Sequence, residues 1–174
     1  MRGSASILWP ALIHENAHYY GIPMQTILRQ ATIEDAPRVA EMYLASRKRY
    51  LSYAPLAHTD EAIHSWISSQ LIPTGVVTVV ARGERVVGFV AISKDPCHGW
   101  IDHIYLDPST VGMGLGSLLL EHAKLTLGSP IRLYTFQQNA DARRFYRRHG
   151  FREIELSDGA LNEEKTPDVL LEWP

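Results

Sequence analysis

Glycines at 112, 114 and 116 stand directly before an apolar helical pattern, in the stretch Asp107-Pro108-Ser109-Thr110-Val111-Gly112-Met113-Gly114-Leu115-Gly116-Ser117. Pro108 cannot donate to a sheet ladder, so it ends the strand before it. Missing β-carbons let a ligand approach the main chain, and the amides of a helix's first turn have no intrahelical acceptor. With the positive end of the helix dipole, those donors suit a pyrophosphate. The stretch lacks the Gly-Lys-Ser/Thr of a Walker motif, and Ser117 stands where a dinucleotide fingerprint has its third glycine. Taken alone, the bend reads equally as a tight turn with close helix–sheet packing.

Three side chains could handle protons. Asn139 to Phe151 reads as a helix with Asn139 as N-cap and Gly150 as its stop. Ala142, Phe145, Tyr146 and His149 share one face, so Tyr146 points inward. A phenol with an ordinary pKa of about 10 keeps its proton at neutral pH and can serve as an acid. A packed aromatic is the other reading. Arg143, Arg144, Arg147 and Arg148 cover the opposite face, either as solvated surface or as a patch that attracts phosphates. Asp102 and His103 adjoin on a strand, and alternation predicts that they face opposite ways, so only one can serve a given site. His103 titrates in the right range for a base. Asp102 could act as one if burial raised its pKa, or could hold a cationic substrate.

His14-Glu15-Asn16-Ala17-His18 matches the zinc-peptidase pattern His-Glu-x-x-His. Gly21 and Pro23 follow at once and no third ligand is identifiable, so coincidence explains it and no metal is expected.

The elements that must position these groups follow from periodicity. Strands are predicted at Thr26–Gln30, Val76–Ala81, Arg85–Ile92, Trp100–Leu106, Ile131–Thr135, Phe151–Leu156 and Val169–Trp173. Helices begin near Asp35, after Thr59, after the glycine bend and after Asn139, the third with Leu118, Leu119, His122 and Leu125 inward. This order predicts an α+β fold, a mixed, mostly antiparallel seven-stranded sheet with helices on both faces. Residues 1–23 lack sustained periodicity and read as an N-terminal extension, an added or mis-started segment. The domain then runs from Met24 to Pro174.

Composition narrows the partners. Seventeen basic against 19 acidic side chains give a formal charge of −2, no field to hold nucleic acid or an anionic membrane. No apolar run approaches the roughly 20 residues of a membrane span. The single cysteine, Cys97, cannot form an internal disulfide, which fits a reducing, cytoplasmic compartment.

A strand with a Leu-x-Pro exit at Leu106-Asp107-Pro108, Gly-x-Gly-x-Gly opening a helix, and then Asn-x-x-Ala-x-x-Phe-Tyr-x-x-x-Gly-Phe from Asn139 resembles the GNAT superfamily of N-acetyltransferases. The motifs cover residues 100–152, and the element order extends the likeness from Met24 to the C-terminus. The resemblance implies an acyl-CoA N-acyltransferase-like fold and direct transfer of an acetyl group from acetyl-CoA to an amine, without metal. It implies that main-chain groups of Ile104, Tyr105 and Leu106 pair with the pantetheine arm in a splayed gap between strands. Amides of Val111, Gly112, Met113, Gly114, Leu115, Gly116 and Ser117 would cradle the pyrophosphate. Asn139 would contact the cofactor, Tyr146 would sit beside the sulfur, and an N–H near Ile104 or Tyr105 would polarise the carbonyl. Val111 departs from the family's usual Arg or Gln. No carboxylate stands at Trp100, where protein-modifying members often carry their base, and this points to a small-molecule or amino-acid-like amine acceptor. Arg47, Arg49, Tyr50, Tyr53, His58, Trp66 and Trp100 are candidates to line its pocket, bordered by the loop Asn162–Asp168. A non-catalytic acyl-CoA-binding or partner-binding domain and an enzyme using a longer acyl-CoA are the alternatives, and a homodimer stays open.

Overall fold

The computed structural model describes residues 18–19, 22–23 and 25–174. Its β-branched runs pair into a seven-stranded sheet. The strands are β1 (Thr26–Gln30), β2 (Val76–Arg82), β3 (Arg85–Lys94), β4 (Gly99–Leu106), β5 (Ile131–Phe136), β6 (Arg152–Ser157) and β7 (Asp168–Trp173). Their order across the sheet is β1-β2-β3-β4-β5-β7-β6, antiparallel except for the β4–β5 pair. The mixed, mostly antiparallel sheet expected from the sequence is present. His18–Tyr19 pairs separately with Ile22–Pro23. His14 to Ala17 of the zinc-peptidase-like pattern lie outside the described residues.

Helix α1 (Ala36–Tyr50) follows a tight turn in which the Asp35 carboxylate accepts from the Thr32 amide at 2.9 Å and pairs with Arg29. Helix α2 (Asp60–Trp66) is capped by the Thr59 hydroxyl, which accepts from the Ala62 amide at 3.2 Å. It continues through a π-helical turn at Ile67–Leu71, which the sequence pattern did not reveal. Val39, Met42, Ile63 and Ile67 press these helices onto Val77, Val79, Phe89 and Ala91 of the sheet.

The opposite face is covered by α3 (Leu115–Leu127) and α4 (Ala140–Arg148). In α3 the inward stripe is Leu115, Leu119, Leu120, Ala123 and Leu127, at helical i, i+4 spacing. Leu125 was expected inward but is 75% exposed, because two residues along a helix turn a side chain roughly 200° from that stripe. His122 sits at the margin, 3.0 Å from the Thr78 hydroxyl. Among the described residues no helix is long and apolar enough to cross a membrane.

One irregularity shapes the centre of the sheet. Parallel strands β4 and β5 pair only at Gly99–Ile131 and Trp100–Arg132, and then part. Ile104, Tyr105 and Leu106 remain paired on their other edge with Val90, Phe89 and Gly88 of β3. Their β5-facing main-chain groups are left without a strand partner.

Candidate active site

Two cavities meet where β4 and β5 part. One, of about 610 Å³, is bordered by the glycine bend and α4; the other, of about 560 Å³, lies among α1, β4, β5 and the loop between β6 and β7. Leu51, Ile104, Tyr105, Asn139, Ala142 and Tyr146 line both.

The bend is built to expose main chain. Gly112 and Gly114 have φ of 89° and 80°, which L side chains rarely adopt, and a β-carbon on either would meet open space. Gly114 is the N-cap of α3 and offers no side chain, so the amides of Leu115, Gly116 and Ser117 lack both an intrahelical and a capping acceptor. Val111, Gly112, Gly114, Gly116 and Ser117 line the cavity. Leu115 turns its side chain into the core, and Met113 lies exposed with its sulfur 3.2 Å from Arg82. Donors without acceptors and room at the glycines fit the diphosphate of a CoA thioester.

Neighbouring groups fix the bend. The Asp107 carboxylate accepts from the Ser109 amide at 2.9 Å, the Ser109 hydroxyl at 2.6 Å and Arg85 at 2.9 Å, and it pairs with Arg38. Burial alone would raise its pKa, but Ser109 and Arg38 outweigh this and hold it at about 2. At the other end of the bend the Ser117 hydroxyl lies 3.0 Å from His149 Nε2. The arginines of α4 divide: Arg143 and Arg147 pair with Glu153, whereas Arg144 and Arg148 border the cavity.

Tyr146 is 6% exposed, packed against Phe145 and Phe151, and desolvation raises its pKa. Its phenol therefore stays protonated.

Asp102 and His103 correct the alternation argument. In the β3–β4 register Ala91 faces His103 and Ile92 faces Ile101, so Asp102 is the extra residue of a bulge. Ile101 and Ile104 both pack into the α3-side core, and the two residues between them lie on the α1–α2 face. Both line the 560 Å³ cavity. The His103 ring sits 5.3 Å from Trp66 and 6.2 Å from Tyr43, centre to centre. Burial, and then the Arg47 cation, push it down to about 4. Asp102 accepts from the Ser93 hydroxyl at 3.0 Å, and desolvation outweighs that bond to raise its pKa.

Of the other candidates, Arg47 lines this cavity, 4% exposed, 3.1 Å from Glu164 and 5.4 Å above the Phe136 ring. Its Nε is buried without a partner, as are the Tyr53 hydroxyl and Asp168 Oδ1. Tyr50 borders the other cavity, Arg49 is exposed and borders neither, and His58 contacts Glu163 at 3.2 Å. The Trp100 indole donates to Asp95 at 2.6 Å and its ring stacks on Tyr134. Cys97 is exposed and lines neither cavity. The loop after β6 borders the cavity as expected, through Leu161, Asn162 and Glu164. Tyr134, Phe136 and Glu155 also line it and were missed. With Ile131 and Leu133 in the core, alternation already places Tyr134 and Phe136 on the opposite face.

Comparison with known proteins agrees with this geometry. The family described as "Acetyltransferase (GNAT) family" matches residues 39–151. Peptidyl-lysine N-acetyltransferase YjaB of Salmonella typhimurium is 31% identical over 104 residues, 59% of this chain and 65% of that protein. The match thus spans just under two thirds of that relative's length. The solution structure of apo YjaB from Escherichia coli superposes with a TM-score of 0.68 at 20% identity, covering 85% of this chain and 97% of that one. The PaiA N-acetyltransferase of Thermoplasma acidophilum, solved in complex with coenzyme A, gives 0.69 at 22% identity, covering 86% and 98%. These structural likenesses establish the fold.

Proposed function

The chain belongs to the acetyltransferase (GNAT) family, and from that premise we propose that it moves an acetyl group from acetyl-CoA directly to the primary amine of a small-molecule or amino-acid-like acceptor. What supports this reading most is that a cavity rimmed by unpaired helix amides joins a second cavity at Tyr146, Ile104 and Tyr105. Acetyl-CoA supplies the acyl group activated as a thioester.

The chain's own residues divide the remaining work. The bend from Val111 to Ser117 holds the diphosphate, and Asn139 borders its path. The β5-facing groups of Ile104 to Leu106 hold the arm, and a main-chain N–H among them polarises the carbonyl. In the exchange a C–N bond replaces a C–S bond, the amine nitrogen loses a proton and the sulfur gains one. Tyr146 keeps its proton on Oη, gives it to the departing sulfur and takes one back from solvent before the next turnover, as its raised pKa favours. His103, uncharged near neutral pH, accepts a hydrogen bond from the incoming neutral amine, and the more open Asp102 passes the proton to solvent.

The loop carrying Leu161, Asn162 and Glu164, tied to α1 through Arg47, borders the acceptor cavity and favours a small acceptor. The relative named for peptidyl-lysine supports a second reading, a lysine side chain of a protein. Free-thiol release from acetyl-CoA across a panel of small amines and a lysine peptide tests the choice. Turnover of small amines is expected, and turnover of the peptide alone overturns it. Calorimetric binding of acetyl-CoA without thiol release on any amine would favour a non-catalytic domain, and preference for a longer thioester in competition would replace the acyl group.

A further inference from the structure

The acceptor cavity holds an imbalance of charge. Asp102, Glu155, Glu164 and Asp168 line it against a single guanidinium, that of Arg47, while His103 is held neutral near pH 7. Arg47 is already matched by Glu164 at 3.1 Å. Among the described residues, Asp102, Glu155 and Asp168 have no ion-pair partner. Asp102 accepts from a serine hydroxyl, and Asp168 Oδ2 from the Asn162 side-chain amide at 2.8 Å. Asp168 is the most demanding of the three. It is 9% exposed, and its Oδ1 is buried without any donor. A buried carboxylate oxygen in that state is costly, and an ammonium group supplies both the missing donor and the missing charge. Tyr43, Tyr105, Tyr134 and Phe136 add aromatic faces, which suit an alkylammonium chain.

We infer that the acceptor is an aliphatic amine carrying a second ammonium group, anchored by the buried Asp168 carboxylate while its other, uncharged amine reaches the opening between β4 and β5. The inference rests on the proposed acetyl transfer. A monoamine leaves Asp168 Oδ1 unanswered, and an acceptor ending in a carboxylate meets three unmatched carboxylates for one occupied guanidinium.

The test compares butylamine, butane diamine and aminobutanoate, all substituted at the chain ends, at saturating acetyl-CoA with thiol release as readout. The diamine is expected to show kcat/KM about tenfold above butylamine, with aminobutanoate lowest. Asp168→Asn should narrow the diamine-to-butylamine ratio about tenfold. Should that variant fail to fold, Glu155→Gln, at an exposed position, should narrow the same ratio by a smaller factor. Equal efficiencies for diamine and butylamine overturn the inference alone. A preference for aminobutanoate overturns it too, and would assign Arg47 Nε to a carboxylate. Thiol release with the lysine peptide but with none of the three removes the small-acceptor reading and this inference with it, and thiol release with no amine at all removes the acetyl-transfer reading.

Discussion

The Arg47 guanidinium of α1 and the Glu164 carboxylate of the loop after β6 lie 3.1 Å apart, the arginine 4% exposed and the glutamate 22%. Removing the carboxylate leaves a buried cation, whereas removing the arginine leaves an anion that solvent can reach. Glu164→Gln should therefore cost about 2–3 kcal/mol, and Arg47→Met, which keeps an apolar reach over Phe136, about 1 kcal/mol or less. The double variant should resemble Arg47→Met. Urea unfolding of the set measures this, and a double variant whose loss equals the sum of the two single losses would show that the pair is not the stabilising unit.

His103 should not titrate near neutrality. Its pKa is pushed from 6.5 to about 4, chiefly by burial and then by Arg47. The unfolded chain binds this proton at higher pH than the folded one, so stability falls as pH drops from 6.5 toward 4. The loss amounts to about 3 kcal/mol when complete. His103→Asn should flatten that window of a pH–urea profile. Arg47→Met should move the His103 resonance midpoint upward in an NMR titration. A midpoint near 6.5 in the unaltered protein would contradict the burial argument.

Local signals carried much of the fold and part of the candidate site. Thr59 and Asn139 announce their helices because a cap needs only its own next turn, and the glycine bend is legible because missing β-carbons are written in the chain. The shared face of Asp102 and His103 was not legible. It arises from a bulge in the register between β3 and β4, a property of two strands and not of one. Leu125 was misplaced for a related reason, since which stripe of α3 is inward depends on where the sheet lies. Glu155 and Asp168 line one cavity with Arg47 only because β7 inserts between β5 and β6, an order that no spacing in the chain encodes.

Tyr146→Phe keeps the ring among Phe145 and Phe151 and removes only the hydroxyl. If the phenol supplies the proton for the departing sulfur, kcat should fall about 100-fold or more while acetyl-CoA affinity changes little. Because desolvation raises its pKa, Tyr146 should contribute no descending limb to the activity profile below about pH 10. Thiol-release kinetics with calorimetry check both. Unchanged turnover would leave Tyr146 a packing residue.

Asp107 should couple the acid stability of the fold to the glycine bend. Hydrogen bonds from Ser109, with Arg38 and Arg85, hold a 7% exposed carboxylate between the end of β4 and the bend. Its folded pKa of about 2 lies below the ordinary 3.8, so its contribution is present above pH 3.8 and is lost as pH falls toward 2. The difference corresponds to about 2 kcal/mol. Asp107→Asn should lose about that much at pH 7, and the gap between variant and unaltered protein should close near pH 2. The same change releases Ser109 and the start of the bend, so acetyl-CoA should bind several-fold more weakly at pH 7. Urea midpoints from pH 7 downward and calorimetry at neutral pH measure the two effects. A stability gap that persists at low pH would place the cost in lost packing and not in the carboxylate's charge.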